Sequence, residues 1–225
     1  MFYKYIIKFD NAEEKIIDIQ LDPVTLTVPP KKDGDFPQWA LLDCDKCSIC
    51  PYNSASHKYC PIALNLAEVT RIFSDKASSM TVDVRVVTGE REYFKRTSLE
   101  SALSSVIGIY MVTSGCLAMD VLKPMVRYHL PFASLSETAY RSVSSYLMQQ
   151  YFKQKKGLEP DWELKKLSKG YEAIEILNRA MVNRLRGASA KDANYNAVVI
   201  LDIFAKMVPQ ALDQSLPVKE FLLPE

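Results

Sequence analysis

Four cysteines lie between Cys44 and Cys60, in the run Cys44-Asp45-Lys46-Cys47-Ser48-Ile49-Cys50-Pro51 and then Cys60-Pro61. Two residues separate Cys44 from Cys47, two separate Cys47 from Cys50, and nine separate Cys50 from Cys60. A Cys-x-x-Cys step is a metal clamp: a tight turn aims both sulfurs at one ion, and the free N–H groups of the turn offset the thiolate charge. Cys47, Cys50, His57 and Cys60 make a complete zinc set of three thiolates and one imidazole. Exchanging His57 for Cys44 gives four thiolates instead.

An iron–sulfur cluster is the competing cofactor. Tandem Cys-x-x-Cys steps with a later Cys-Pro occur in ferredoxins, although those place the fourth cysteine sooner. The remote Cys116, in Thr113-Ser114-Gly115-Cys116, is a candidate fourth thiolate for either metal. Reduced structural thiols are the plain alternative, because free cysteine packs as a small hydrophobe. Four thiols within seventeen residues argue against it. For His57, a solvated loop residue is the alternative to ligation. Zinc is the leading reading and iron–sulfur the alternative.

Other chemistry is less well marked. Cys116 and His129 could form a thiolate–imidazole pair, the minimum for thiol nucleophilic catalysis; the plain readings are a metal ligand and a hydrogen-bonded buried histidine. No Gly-rich phosphate loop, H-E-x-x-H or G-x-S-x-G occurs. Asp120, Arg127, Glu137, Arg141 and Asp161 sit near apolar segments and read as internal ion pairs joining helices, or as the polar groups of a small-ligand pocket. Between Lys153 and Lys191 there are ten basic and five acidic residues. Their interleaving reads as a solvated helical face rather than a phosphate track.

Several blocks resemble one family. These are Cys47-Ser48-Ile49-Cys50-Pro51 with Cys60-Pro61-Ile62-Ala63-Leu64-Asn65-Leu66, Thr113-Ser114-Gly115-Cys116, Arg127-Tyr128-His129-Leu130-Pro131-Phe132, Glu137-Thr138 with Tyr140-Arg141, Pro160-Asp161-Trp162, and Asp192-Ala193-Asn194-Tyr195-Asn196-Ala197. Together they resemble a bacterial family of domains of unknown function. The resemblance implies a bacterial cytoplasmic protein, and it implies Cys47, Cys50, Cys60 and Cys116 as the cysteine set. Cys44 is then an extra, and Leu117 stands where the family typically has proline after Ser-Gly-Cys.

The elements that must position these residues are legible in hydrophobic period. Tyr3, Tyr5, Ile7 and Phe9 alternate with Lys4, Ile6 and Lys8, and Ile17, Ile19 and Leu21 alternate with Asp18 and Gln20, so a β-hairpin is expected over the first 22 residues. Pro23, Pro29, Pro30, Gly34 and Pro37 break regular structure up to Trp39. Ile62–Phe73 has helical spacing, and Met80–Thr88 with Arg91–Lys95 reads as a second hairpin turning at Gly89. From Thr97 onward the pattern is helical. Thr97-Ser98-Leu99-Glu100 and Ser134-Leu135-Ser136-Glu137 read as capping boxes, the second opening a helix to about Phe152. A long amphipathic segment opens at Pro160-Asp161 and closes at Gly187, and a last helix runs from about Asp192 to Met207, before Pro209. The expectation is an α+β fold. Residues 1–96 form a β-rich part with two hairpins and a cysteine knuckle at 44–61, and residues 97–225 form an α-helical part packed with it as one unit.

Composition sets the outer limits. The chain of 225 residues is 48% hydrophobic, enough to bury a core without disulfides. Its 28 basic and 27 acidic side chains leave a net charge of +1, which argues against nucleic acid or an anionic membrane as the main partner. The first ten residues lack the basic and apolar regions of a signal peptide, and the five cysteines are an odd number, so a reducing cytoplasm is expected. Ser101 to Met119 carries no charge, but its Ser, Thr and Gly content reads as a core helix rather than a membrane span. A protein partner, a small ligand and a second copy of the chain all stay open.

Overall fold

The computed structural model describes residues 1–29 and 36–213; Pro30 and Gly34 lie outside them. Strand β1 (Phe2–Phe9) is central to the sheet because its alternation has two uses. Tyr3, Tyr5, Ile7 and Phe9 are all buried on one face, while the backbone pairs on both edges. On one edge lies β2 (Glu14–Gln20), antiparallel, with Tyr5 opposite Ile17. On the other lies β3 (Thr81–Val87), also antiparallel, with Ile7 opposite Val84. β3 in turn pairs with β4 (Glu92–Ser98). The two expected hairpins thus fuse into one antiparallel sheet of order β2-β1-β3-β4. Register follows from burial, since a slip of one residue would turn Val82, Val84 and Val86 outward.

Helix α1 (Pro61–Ile72) starts with proline at its first turn, where the missing N–H costs nothing. It buries Ile62, Ala63, Leu66 and Val69. Helix α2 (Leu99–Val112) is apolar nearly all round and is buried accordingly. Its cap is Ser98, the last residue of β4, whose hydroxyl accepts from the Ser101 N–H, rather than Thr97 one position earlier in that strand. The helix stops at Thr113 and Ser114, whose hydroxyls donate to the Ile109 and Met111 carbonyls, and Gly115 takes a left-handed φ of 84°. The chain then turns through 117° into a 3-10 segment, Leu117–Leu122, and the short α3 (Lys123–Arg127). The uncharged stretch is therefore bent. Among the described residues no single helix is long and apolar enough to cross a membrane.

Helix α4 (Leu135–Lys155) opens on the expected capping box of Ser134 and Glu137. Helix α5 (Lys165–Ala188) begins later than Asp161. That carboxylate instead caps it from outside, accepting the Lys165 and Lys166 N–H groups and the Tyr146 hydroxyl of α4. Helix α6 (Ala193–Asp213) runs past the expected end at Met207 with Pro209 inside it, because a proline removes one rung of the ladder without ending a helix held by packing. It packs against both α5 and α2. One apolar cluster runs from the sheet through α1 and α2 into α5 and α6.

Candidate metal centre

The cysteine segment forms turns rather than a knuckle hairpin. The Cys50 N–H donates to the Cys47 carbonyl at 3.0 Å, closing a turn over the Cys-x-x-Cys step. An isolated bridge pairs Leu41 with Tyr59, and the Cys60 N–H donates to the Ala40 carbonyl at 2.9 Å, which seats Cys60 as the cap residue of α1. Cys116 arrives from the far side, at the head of the Leu117–Leu122 segment. The Tyr52 hydroxyl donates to the Gly115 carbonyl at 3.0 Å and latches the cysteine loop to that bend.

Cys47, Cys50, Cys60 and Cys116 line one small, largely closed cavity of about 20 Å³. Leu177 and Met181 of α5 form its apolar wall, Lys46 and Arg184 bring positive charge to it, and Asp45 brings one negative charge. The thiols sense one another. Burial, and then the neighbouring Cys50, Cys116 and Cys60, push the Cys47 thiol up to about 11. Burial likewise raises Cys116, whose next influences include Cys60 and Cys50. Tyr52 is raised first by burial and then by the charges that Cys116, Asp120, Cys50 and Cys60 would carry. A bound cation inverts this cost, since a coordinating thiol gives up its proton outright. Among the described residues, no three or more His, Cys, Asp or Glu side chains are gathered as a group ready to hold an ion. The cysteines share a cavity without being closed onto a single point.

The other candidates lie elsewhere. Cys44 faces a wider, more open groove with Trp39 and Lys58, and its thiol points to Asp45. His57 is exposed; its ring stacks on Tyr52 at 4.4 Å, and its Nδ1 pairs with the Ser56 hydroxyl at 3.0 Å. His129 lines a different cavity from Cys116, and its Nε2 lies 2.6 Å from the Tyr5 hydroxyl.

The expected ion pairs between helices are mostly bonds to backbone. Arg141 donates to the Met125 and Tyr128 carbonyls, Arg127 to that of Pro23, and Asp120 pairs locally with Lys123. In the basic stretch, Lys165 pairs with Glu163 and Arg179 with Glu175. Arg184 was not singled out by motif. It falls among the apolar positions Leu177, Met181 and Leu185 of α5, and that interruption of the stripe is the signal that marks it.

The profile of one family matches residues 1–222. The chain belongs to the family described as domain of unknown function DUF6901. The match takes in every block quoted above, from Cys47 to Ala197. No curated protein matches the chain, and no solved structure does.

Proposed function

We propose that this DUF6901 chain is a metal-binding protein in which Cys47, Cys50, Cys60 and Cys116 hold one zinc ion. The observation that carries the reading is the shared cavity, to which two loop cysteines, the cap of α1 and the bend after α2 each contribute a thiol. Its size supports a single ion, because about 20 Å³ is room for roughly one water-sized particle. Lys46 and Arg184, set against Asp45, leave one positive charge at the cavity, which partly offsets the two negative charges that four thiolates around a divalent ion leave. A filled four-thiolate set keeps no open position for substrate, so the metal would act structurally. Bound there, zinc would contribute folding energy by tying the cysteine loop to the helical half. The role is then binding or regulatory rather than catalytic.

An iron–sulfur centre is the second reading, favoured by the four cysteines among the residues that line the cavity. Oxygen-free purification followed by metal analysis and a visible spectrum separates the two. About one zinc per chain with no visible band is the expected result, since zinc is d¹⁰ and colourless. Cys47→Ser and Cys116→Ser should then lose the ion, while Cys44→Ser and His57→Ala keep it. Iron with sulfide and a broad visible band would replace zinc by the second reading. Neither metal, even after reconstitution with zinc or with iron and sulfide, would overturn both.

A further inference from the structure

We propose that the cavity between α2, α5 and α6 binds an amphipathic monocarboxylate, an alkyl-chain acid whose tail fills the apolar interior and whose carboxylate meets Arg141 and Lys95 at the opening. The cavity holds about 390 Å³, within the size range of small-molecule sites. Its walls are largely apolar, with Ile109 and Val112 from α2, Ile174 from α5, and Ile200 and Phe204 from α6. Lys95 and Ser134, both exposed, also line it, so it opens to solvent beside the start of α4.

The charge in this lining is of one sign. Arg141 and Lys95 line the cavity, and among the described residues no Asp or Glu does. His129 also lines it, but burial and then Arg141 push its imidazole down to about 3, so it is uncharged near neutral pH. Among the described residues neither cation forms an ion pair. Lys95 holds its ammonium 5.8 Å from the centre of the Phe132 ring, and half-buried Arg141 donates from Nη2 to the Met125 and Tyr128 carbonyls. A guanidinium has five N–H donors; with two used, three remain on Nε and Nη1 without an acceptor, and neither atom is closed off from solvent.

Glu137 is the counter-charge close by. Its Oε2 accepts from the Ser134 N–H and hydroxyl, and these bonds, followed by the charges of Arg141 and Lys95, hold its carboxyl below the usual range. Both cations therefore lie about the start of α4, and with Glu137 counted against them one positive charge is left. That balance suits a single carboxylate rather than a dianion. Burial works against the Arg141 guanidinium, and a charge out of water without a counter-ion is costly. A carboxylate offsets that cost through a charge-assisted bond, while its tail covers the apolar wall. The cysteines line a separate cavity, so this site stands or falls apart from the metal centre.

The test uses the full chain and three probes of one length: decanoate, decanol and decylamine. By titration calorimetry decanoate should bind at least about tenfold more tightly than decanol, as expected for one hydrogen bond to a charged group, with decylamine weakest. Nuclear Overhauser contacts from the decanoate tail to the methyl groups of Ile109 and Ile174 should place it inside. Lys95→Gln, at an exposed position, should cut the preference for decanoate over decanol about twofold to fivefold. Arg141→Gln should abolish that preference while decanol still binds. Should Arg141→Gln fail to fold, Lys95→Gln and the wild-type ranking still decide. Equal binding of acid and alcohol, binding of none, a tail without contact to either isoleucine, or a preference that survives Lys95→Gln undiminished would overturn the proposal.

Discussion

The Arg184 guanidinium donates to the Leu41 carbonyl at 2.6 Å, across 143 positions of chain. The same side chain also reaches the Trp39 and Leu42 carbonyls, each at 2.8 Å. One arginine of α5, only 3% exposed, thus gathers three carbonyls of the short segment 39–42 at the entrance to the cysteine segment. Removing it takes this donor from the Trp39 and Leu42 carbonyls, while the Leu41 carbonyl keeps the Cys44 N–H at 3.2 Å. Arg184→Leu should cost about 2 kcal/mol or more, because unsatisfied buried groups cost about 1–3 kcal/mol each. Arg184→Lys should recover only part, since an ammonium lacks the planar fork that spans separate carbonyls. Urea denaturation of the three proteins checks the order; a wild-type midpoint in Arg184→Leu would show that the carbonyls find other partners.

His129 makes stability depend on acid. Burial, reinforced by the positive charge of Arg141, pushes its imidazole down to about 3 from the ordinary 6.5. Tyr3 stacks edge-on at 5.2 Å and Tyr5 holds Nε2, so the ring sits among neutral groups that favour its uncharged form. The unfolded chain takes up the proton near 6.5, while the folded chain resists until about 3. The contribution is therefore fully present above pH 6.5 and is lost as pH falls towards 3, at up to about 1.4 kcal/mol per pH unit. His129→Gln removes this titration. Its urea midpoint should fall less steeply than the wild type's between pH 6.5 and 4.5; parallel curves would mean that the buried imidazole is not the cause.

Much of this was legible in residue types, and the limits are physical. The alternation of Tyr3, Tyr5, Ile7 and Phe9 reveals a half-buried strand because burial has period two. It does not reveal that β1 pairs with β3, since that ladder joins residues 73 to 83 positions apart with no turn between them to mark it. Thr97 and Ser98 both offer a capping hydroxyl, and only the end of β4 decides that Ser98 takes the role. Spacing groups Cys47, Cys50 and Cys60 locally. Cys116 joins them through the bend at Gly115 and the Tyr52 latch, which are tertiary contacts. His57 is adjacent in sequence but lies outside the residues that line the cavity, with its ring against Tyr52 and its Nδ1 on Ser56. Asn178 and Arg184 were readable as polar breaks in the stripe of α5, but what each one meets depends on α2, α6 and the cysteine loop.

Two helical glycines should answer the same substitution differently. Gly108 lies within α2, and a β-carbon there would meet the Leu201 side chain at 3.6 Å, an ordinary contact. Alanine restores helix propensity lost to glycine, so Gly108→Ala should stabilise the protein by about 0.5–1 kcal/mol. Gly170 lies within α5, and there the added carbon would meet Val121 at 3.3 Å, close enough that the valine must move. Overpacking against a β-branched side chain offsets the same propensity gain. Gly170→Ala should therefore be neutral or destabilising, and Gly170→Ala with Val121→Ala should regain the propensity gain relative to Val121→Ala alone. Melting temperatures of the four variants decide it. Equal gains at Gly108 and Gly170 would show that the segment carrying Val121 yields freely, and that its packing on α5 is looser than 3.3 Å implies.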